Sequence, residues 1–233
     1  MTTKPIIPES THSAERAGGH WILARLGKKV LRPGGRETTQ FLLENLSLSG
    51  ATVVEFAPGL GVTARDILGK GPARYIGVDS DADACANVRA ILPAGPHEVR
   101  NTNATDTGLE SNSVDVVIGE AMLTMQTDKH KLELMREAAR ILKPGGLYGI
   151  HELSLVPDNV STAVKEDIAK ALARSIKVDA RPITVPEWAA LAREAGFDVI
   201  NIRQADMALL SLKRNLKDEG LKGVFTIVRN VFS

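Results

Sequence analysis

Short apolar runs alternate with stretches of helical periodicity from Ala51 onward, and this alternation limits the possible folds more than any other feature of the chain. Parallel strands need long crossover connections, usually helices, whereas antiparallel strands can be joined by short turns. A regular exchange of strand and helix therefore predicts a mostly parallel sheet with helices on both faces. The expected strands are residues 52–56, 75–79, 97–100, 114–119 and 147–153.

Apolar residues at helical spacing fill the segments around and between these strands. Residues 184–195 are expected to form a helix, because Thr184 and Glu187 form a capping-box pattern at its start and Gly196 follows its end. The other expected helices are residues 14–30, 38–46, 63–68, 81–92, 129–142 and 159–175.

The chain after residue 195 divides into a strand and a tail. Residues 197–202 are expected to form a sixth strand, and the apolar residues of the tail recur at helical intervals. We therefore expect an N-terminal helical lid over 1–48, an α/β domain over 49–205, and a C-terminal helical extension over 206–233 without a regular seventh strand. The apolar stripe of that extension must be buried over the sheet edge or against a second subunit, so a homodimer through the C-terminal helix is one expected arrangement.

The charge balance argues against a sustained basic surface. The 233 residues include 29 Lys and Arg against 28 Asp and Glu, for a net charge of +1, whereas binding of a phosphate backbone requires clustered cations. We therefore expect no nucleic-acid partner. The single cysteine, Cys85, excludes an internal disulfide and a cysteine-only metal site. Without a signal peptide or an apolar stretch of roughly 18 residues, the chain is expected to be cytoplasmic, with no membrane span and no metal.

A glycine-rich turn follows the first expected strand and precedes a helix. In the segment VVEFAPGLGVT, Gly59 and Gly61 allow the backbone to approach a ligand closely, and the helix after them offers free amide groups. The spacing also fits a dinucleotide-binding fingerprint, with Asp79 about 20 residues downstream to hold a ribose. Glu55 argues against that alternative, because a carboxylate at the strand end would repel a pyrophosphate and favour a cationic ligand.

Four segments in order resemble the motifs of class I S-adenosylmethionine (SAM)-dependent methyltransferases, in the small-molecule branch that includes the ubiquinone and menaquinone methyltransferases. They are VVEFAPGLGVTA, YIGVDSD, NATDTGLESNSVDVVIGEAM and ILKPGGLYGIHE, and the resemblance covers about residues 31–205. It implies a Rossmann-like, doubly wound sheet. It also implies methyl transfer from S-adenosyl-L-methionine to a small molecule by in-line displacement, with S-adenosylhomocysteine as the product.

The resemblance also implies which residues bind the cofactor. Glu55 would face the methionine portion, Asp79 would hold both ribose hydroxyls, and Asn103 stands where the family usually has an aspartate facing the adenine amino group. An amide at that place keeps one acceptor oxygen and removes one charge. The full set of expected cofactor-binding residues is Gly34, Glu55, Ala57, Gly59, Gly61, Asp79, Ser80, Asn103, Ala104 and Glu120.

His151 and Glu152 are the expected catalytic residues. Both end the fifth expected strand, at the carboxyl edge where open α/β sheets bind their ligands. Either side chain is a candidate for acceptor contact or for a general base, and the alternative is a buried histidine paired with a glutamate for packing. Three cofactor candidates have structural alternatives as well: Glu55 as a strand-end acid that faces solvent beside an ordinary tight turn, Gly34 as part of a plain connector between helices, and Glu120 as a solvated loop acid.

The acceptor is expected to be a small molecule. Nucleic-acid amino methyltransferases typically carry an Asn/Asp-Pro-Pro-aromatic motif after the fourth strand, where this chain has Glu120, Ala121, Met122 and Leu123. Two other functions stay open at this point. One is an NAD(P)-dependent oxidoreductase, and the other is a SAM-binding protein that has lost catalysis.

Overall fold

The structure, a computed structural model, describes residue 7, residues 34–176 and residues 179–207 of the chain. The helix expected at 14–30 and nearly all of the expected C-terminal extension lie outside the described residues. The elements in chain order are α1 (Gly35–Glu44), β1 (Thr52–Phe56), α2 (Val62–Leu68), β2 (Arg74–Asp79), α3 (Ala82–Arg89), β3 (Glu98–Asn101), β4 (Val114–Glu120), α4 (Asp128–Ile141), β5 (Leu142–His151), β6 (Ser154–Leu155), α5 (Thr162–Ile176), β7 (Ile183–Thr184) and α6 (Val185–Glu194).

Five strands form one sheet in the order β3-β2-β1-β4-β5, and each neighbouring pair is parallel. The chain enters at the centre with β1, moves outward to β3, and then crosses back to place β4 on the other side of β1. The direction of winding therefore changes between β1 and β4, where open α/β sheets have a crevice at the carboxyl ends of their strands. The predicted Rossmann-like, mostly parallel α/β fold is confirmed.

An apolar layer covers each face of this sheet. On one side, called the front face below, α1, α2 and α3 contribute Leu43, Ile67 and Val88. On the other side, α4 and α6 contribute Leu134 and Trp188. Because both faces are covered, the central strands are apolar almost throughout, and the sequence shows them as continuous runs instead of alternating ones.

The other strands and helices form close to their expected bounds, with two exceptions. The sixth strand predicted at 197–202 is wrong, because residues 197–207 contain no helix or strand. Side chains attach this segment to α1, where Arg203 Nη2 donates to Glu37 Oε1 at 3.0 Å. Ile200 is 78% exposed, so part of the apolar run that suggested a buried strand lies on the surface.

The second exception is β5, which begins and ends earlier than predicted. It runs over Leu142–His151, so Glu152 follows the strand instead of ending it. Leu142 pairs with Val114 before an irregularity interrupts the register with β4. The short strands β6 and β7 were not predicted. They pair in parallel with each other, outside the main sheet. No helix in the described part of the chain has the length and apolar character needed to cross a membrane.

Thr184→Ala is expected to destabilise the protein by about 1 kcal/mol, because the capping box at the start of α6 loses its hydroxyl. Urea denaturation measures the difference. Thr162→Ala, at the exposed first position of α5, is the matched control and should change the free energy of unfolding by less than about 0.5 kcal/mol. Equal losses in the two variants would contradict a particular role for this cap.

Candidate functional site

Strand register puts four ionisable side chains on the front face at the carboxyl edge of the sheet. Residues two apart on a strand share a face, and directly paired residues of parallel strands point the same way. Glu55 is paired with Gly77 on β2, two residues before Asp79. Its partner on β4 lies two residues before Glu120, which is itself paired with His151 on β5. The predicted site residues of β1, β2, β4 and β5 therefore meet along one line.

The turn after β1 is held in left-handed backbone conformations. The φ angle is +54° at Gly59 and +70° at Gly61, values that residues with a side chain rarely adopt. A Cβ on Gly61 would also lie 3.0 Å from the Ile91 Cδ1 atom. Ala57 adopts the same region at +52° although it is not glycine, and its N–H donates to the Val78 carbonyl at 2.8 Å. The turn is thus specified by backbone geometry, with strain at Ala57.

Asp79 closes this turn from the neighbouring strand. Its Oδ2 accepts a hydrogen bond from the Gly59 N–H at 3.2 Å, and its Oδ1 accepts one from the Asp81 N–H at 3.0 Å. The residue is 9% exposed. Burial raises the pKa of its carboxyl above the ordinary value of 3.8, although the amide hydrogen bonds oppose that shift. The charged form of Asp79 is therefore disfavoured unless further donors reach it.

Glu55 is buried at the end of β1, with 4% of its surface exposed. The Tyr75 hydroxyl donates a hydrogen bond to Glu55 Oε2 at 2.6 Å. Burial raises the pKa of Tyr75, and the nearby Glu55 carboxylate raises it further. Tyr75 therefore stays protonated and donates, while Glu55 accepts. An acidic side chain is thus kept directly beneath the glycine-rich turn.

Glu120 and His151 form a buried pair that residues from two helices hold in place. Glu120 Oε1 lies 2.9 Å from His151 Nδ1 and accepts a hydrogen bond from the Thr39 hydroxyl of α1 at 2.7 Å. Glu120 Oε2 accepts one from the Thr63 hydroxyl of α2 at 2.6 Å. The side chains of His151 and Glu120 are only 6% and 7% exposed. A histidine–glutamate pair thus forms as one alternative foresaw, but the glutamate is on the neighbouring strand and is not the adjacent Glu152.

Gly34 brings the start of α1 against this pair. A Cβ on Gly34 would lie 2.5 Å from both His151 Nε2 and Thr38 Oγ1. Since real Cβ atoms do not come so close to other atoms, any other residue at position 34 would force His151 and Thr38 to shift. The start of α1 therefore lies beside the histidine.

Glu152 anchors the loop that follows β4. Its Oε1 accepts hydrogen bonds from the N–H groups of Met122 at 2.9 Å and Leu123 at 2.7 Å. Its Oε2 accepts from the Thr124 N–H at 3.1 Å and from the Thr124 hydroxyl at 2.6 Å. Burial raises the pKa of the Glu152 carboxyl, although these hydrogen bonds oppose the shift. Because Glu152 accepts four hydrogen bonds from one loop, it is better suited to holding that loop in place than to transferring a proton.

The candidates for the adenine end lie after β2 and β3, at the same edge as Asp79. Ser80 and Asn103 are exposed, and Ala104 is buried. The Asn103 Oδ1 atom accepts a hydrogen bond from the Thr105 N–H at 3.0 Å, which fixes the loop after β3. In the described part of the chain, no cluster of three or more His, Cys, Asp or Glu side chains is suited to a metal ion.

Sequence reasoning missed Tyr75, Thr39 and Thr63. An aromatic residue in a buried strand is ordinarily a core residue, and a threonine inside a helix usually carries no function. One signal was available for Tyr75, which stands four residues before Asp79 and so shares its face of the strand. Nothing in the sequence connects Thr39 or Thr63 with Glu120, from which they are 81 and 57 residues away.

Comparison with known proteins places this arrangement in a family. The family described as "Methyltransferase domain" matches residues 53–146, which contain the glycine-rich turn and most of the sheet. An uncharacterized protein of Haemophilus influenzae is 38% identical over 217 residues, covering 91% of this chain and 84% of that protein. Residues 53–146 of this chain therefore form a methyltransferase domain.

Solved structures share the fold of this methyltransferase. An S-adenosylmethionine-dependent methyltransferase of Mesorhizobium loti has a TM-score of 0.61 at 16% identity, covering 81% of this chain and 91% of that one. Phosphoethanolamine N-methyltransferase 2 of Haemonchus contortus, solved with phosphomonomethylethanolamine and S-adenosylhomocysteine, has a TM-score of 0.67 at 18% identity. It covers 96% of this chain and 54% of that one. At these identities the likeness establishes the fold of the methyltransferase and not its acceptor.

Asp79→Asn is expected to remove a pH-dependent cost of folding. Because burial raises the folded-state pKa of Asp79 above its unfolded value, its contribution to stability is greatest below the unfolded pKa and is lost as the pH rises through the folded pKa. The neutral amide cannot lose stability in this way. The free energy of unfolding of the variant minus that of the wild type should therefore increase from pH 4 to neutral pH, as measured by urea denaturation. A difference that does not change with pH would contradict the raised pKa.

Proposed function

We propose that the protein is an enzyme that transfers a methyl group from SAM to a small-molecule acceptor. The observation that supports this most directly is the placement of Glu55 and Asp79 beside the glycine-rich turn, on the same face as the Glu120–His151 pair. One part of the edge offers carboxylates to a cationic ligand that carries hydroxyl groups. The neighbouring part offers a histidine that a carboxylate holds in place.

The residues around the turn fit SAM better than a dinucleotide. SAM carries a sulfonium and an ammonium group and no phosphate, so the buried Glu55 would attract its methionyl portion. Asp79 would accept hydrogen bonds from the ribose hydroxyls, which would offset the cost of burying its charge. In an NAD(P)-dependent oxidoreductase, the same turn would hold a pyrophosphate next to the carboxylate of Glu55, an arrangement that electrostatics disfavours.

Bound SAM supplies a methyl group that is already activated for displacement. The chain then has to align the acceptor with that group, exclude water and remove a proton where the acceptor carries one. The burial of Glu120 and His151 suits the second task, because water has little access to their side chains. The third task requires a base.

His151 is the proposed general base. An ionised carboxylate only accepts hydrogen bonds, so Glu120 favours the tautomer that carries its proton on Nδ1, with Nε2 as the basic nitrogen. The start of α1 packs beside Nε2, and a Cβ at position 34 would lie 2.5 Å from that nitrogen. Glu120 would also stabilise the imidazolium that forms when Nε2 takes up a proton.

Glu152 is proposed as a positioning residue in place of its expected catalytic role. Its carboxylate ties down three consecutive residues of the loop after β4, which begins with Ala121 at a φ of +54°. A non-glycine residue in this conformation is strained and needs support from its surroundings. The hydrogen bonds to Glu152 supply such support, and they place the loop beside the end of β4.

The same loop supports a small-molecule acceptor. Met122 and Leu123 are 7% and 0% exposed, and their backbone amides are bonded to Glu152. Enzymes that act on a flipped-out base stack it between accessible aromatic or apolar side chains and read its edge by hydrogen bonds. The side chains of Met122 and Leu123 are too buried to stack on a base, and the acceptor that we propose is therefore small.

The cofactor is tested by mass spectrometry of the purified protein and by calorimetry. SAM or S-adenosylhomocysteine should co-purify or bind on titration, whereas NADP should not. Asp79→Ala and Gly59→Val should each weaken SAM binding at least about tenfold, because one removes the ribose acceptor and the other places a side chain at a φ of +54° in the turn. Asp83→Ala, at an exposed position of α3, is the matched control. Binding of SAM by Asp79→Ala with unchanged affinity would contradict the proposed site.

The two candidate catalytic residues are separated by a second test. With methyl-labelled SAM and a panel of phenols, amines and thiols, His151→Ala should lower methylation of proton-bearing acceptors about 100-fold or more and change SAM affinity less than twofold. Glu152→Gln should lower the free energy of unfolding, since its amide group cannot accept from all four donors. If SAM binds and no acceptor class in the panel is methylated by the wild type, the protein is instead a catalytically silent SAM-binding protein.

A further inference from the structure

Tyr75 reaches Glu55 along the surface of the sheet, across a strand position that has no side chain. Tyr75 and Gly77 are two residues apart on β2 and share the front face, and Gly77 is paired with Glu55 on β1. A Cβ on Gly77 would lie 3.2 Å from the Tyr75 hydroxyl and 3.4 Å from Pro58 Cγ. The missing side chain at Gly77 therefore provides the path by which the phenol reaches the carboxylate.

Burial of the Tyr75 hydroxyl and the Glu55 carboxylate costs free energy that their hydrogen bond offsets. The Tyr75 side chain is fully buried at 0% exposure, and Glu55 is 4% exposed. A buried carboxylate without donors is strongly disfavoured and tends to take up a proton. A phenol at 2.6 Å gives Glu55 a strong hydrogen bond to its charged form. Unlike an arginine or lysine, the phenol stabilises this negative charge without neutralising it.

We propose that Tyr75 is a positioning residue that holds Glu55 in place as a carboxylate, so that Glu55 attracts the positively charged methionyl portion of SAM. The proposal rests on the proposed function, because it takes SAM as the ligand at this turn. Tyr75 itself contacts Glu55 and needs no contact with the cofactor. It acts on the charged end of the ligand and leaves recognition of the adenosyl end to Asp79 and the loop after β3.

Three ligands separate this role from a general effect on folding. SAM carries a sulfonium and an ammonium group, S-adenosylhomocysteine carries the ammonium alone, and 5′-methylthioadenosine carries neither. Tyr75→Phe should weaken binding of SAM about tenfold, weaken S-adenosylhomocysteine by an equal or smaller factor, and change the affinity for 5′-methylthioadenosine less than twofold. Isothermal titration calorimetry measures all three affinities.

The chain offers a matched control, because it contains only two tyrosines. The Tyr148 hydroxyl is also buried, but it has no hydrogen-bond partner among residues 34–176 and 179–207. Tyr148→Phe therefore removes the same atom without breaking a hydrogen bond, and it should leave the affinity for each of the three ligands unchanged within twofold. A loss of SAM affinity in Tyr148→Phe equal to that in Tyr75→Phe would overturn the proposal.

A double-mutant cycle tests whether Tyr75 acts through Glu55. In a Glu55→Gln background, adding Tyr75→Phe should change SAM affinity less than twofold, since the charge that the phenol stabilises is gone. Additive losses in the cycle would overturn the proposal.

The remaining outcomes are also decisive. If Tyr75→Phe does not fold, Gly77→Ala carries the test, because its Cβ would lie 3.2 Å from the Tyr75 hydroxyl and crowd its contact with Glu55. Gly77→Ala should weaken SAM more than 5′-methylthioadenosine. Equal weakening of the three ligands in a folded variant would make Tyr75 a structural residue and overturn the proposal. If the wild type binds none of the three ligands, the proposed function fails first, and the proposal about Tyr75 fails with it.

Discussion

The hydrogen bonding of β1 to strands on both sides decides which side chains meet at the carboxyl edge of the sheet. Glu55 stands opposite Gly77 on one side and opposite Ile118 on the other. A slip of one residue in either pairing would turn the side chains of a strand to the opposite face. Such a slip is prevented by packing, because Val53 and Val54 point to opposite faces and both are 0% exposed. The two apolar layers therefore fix the geometry of the polar edge as well as the stability of the fold.

This edge concentrates buried carboxylates, and the donors described here are mostly hydroxyls and backbone amides. Thr39 and Thr63 donate to Glu120, Tyr75 donates to Glu55, and the Gly59 amide donates to Asp79. Neutral donors stabilise the charge of a carboxylate without cancelling it. Burial of a carboxylate also costs free energy, and Asp79 shows this cost because burial raises the pKa of its carboxyl. Buried ionisable groups with shifted pKa values are common at ligand-binding and catalytic sites, where they lower the stability of the protein.

The parallel sheet could be predicted because its signals are local. The buried strands appear as continuous apolar runs, and the turn at Gly59 and Gly61 is marked by residues that tolerate left-handed backbone. The strand predicted at 197–202 failed because its apolar residues gave no indication of a backbone partner, and the side chain of Arg203 instead attaches the segment to α1. Local pattern cannot distinguish an apolar run that pairs from one that only lies nearby.

The polar partners were less predictable than the positions of the acids. Glu55, Asp79, Glu120 and His151 could be placed at the carboxyl edge from their strands alone. The roles of Glu120 and Glu152 could not be separated, because Glu152 follows β5 and turns to the loop after β4, whereas Glu120 is paired with His151 across the sheet. Which glutamate faces His151 depends on the register between β4 and β5 and on where β5 ends. The spacing of residues along the sequence predicts neither.

The empty position at Gly77 also has a consequence for how this sequence can change over time. A Cβ there would crowd the Tyr75 hydroxyl at 3.2 Å, and a longer side chain would compete with the phenol for space, so the two positions are not independent. Among relatives with the same sheet, a residue larger than alanine at position 77 should be accompanied by loss of the tyrosine at position 75. The reverse need not hold, because a smaller residue at position 75 makes no demand on position 77. The pair should therefore covary in one direction only.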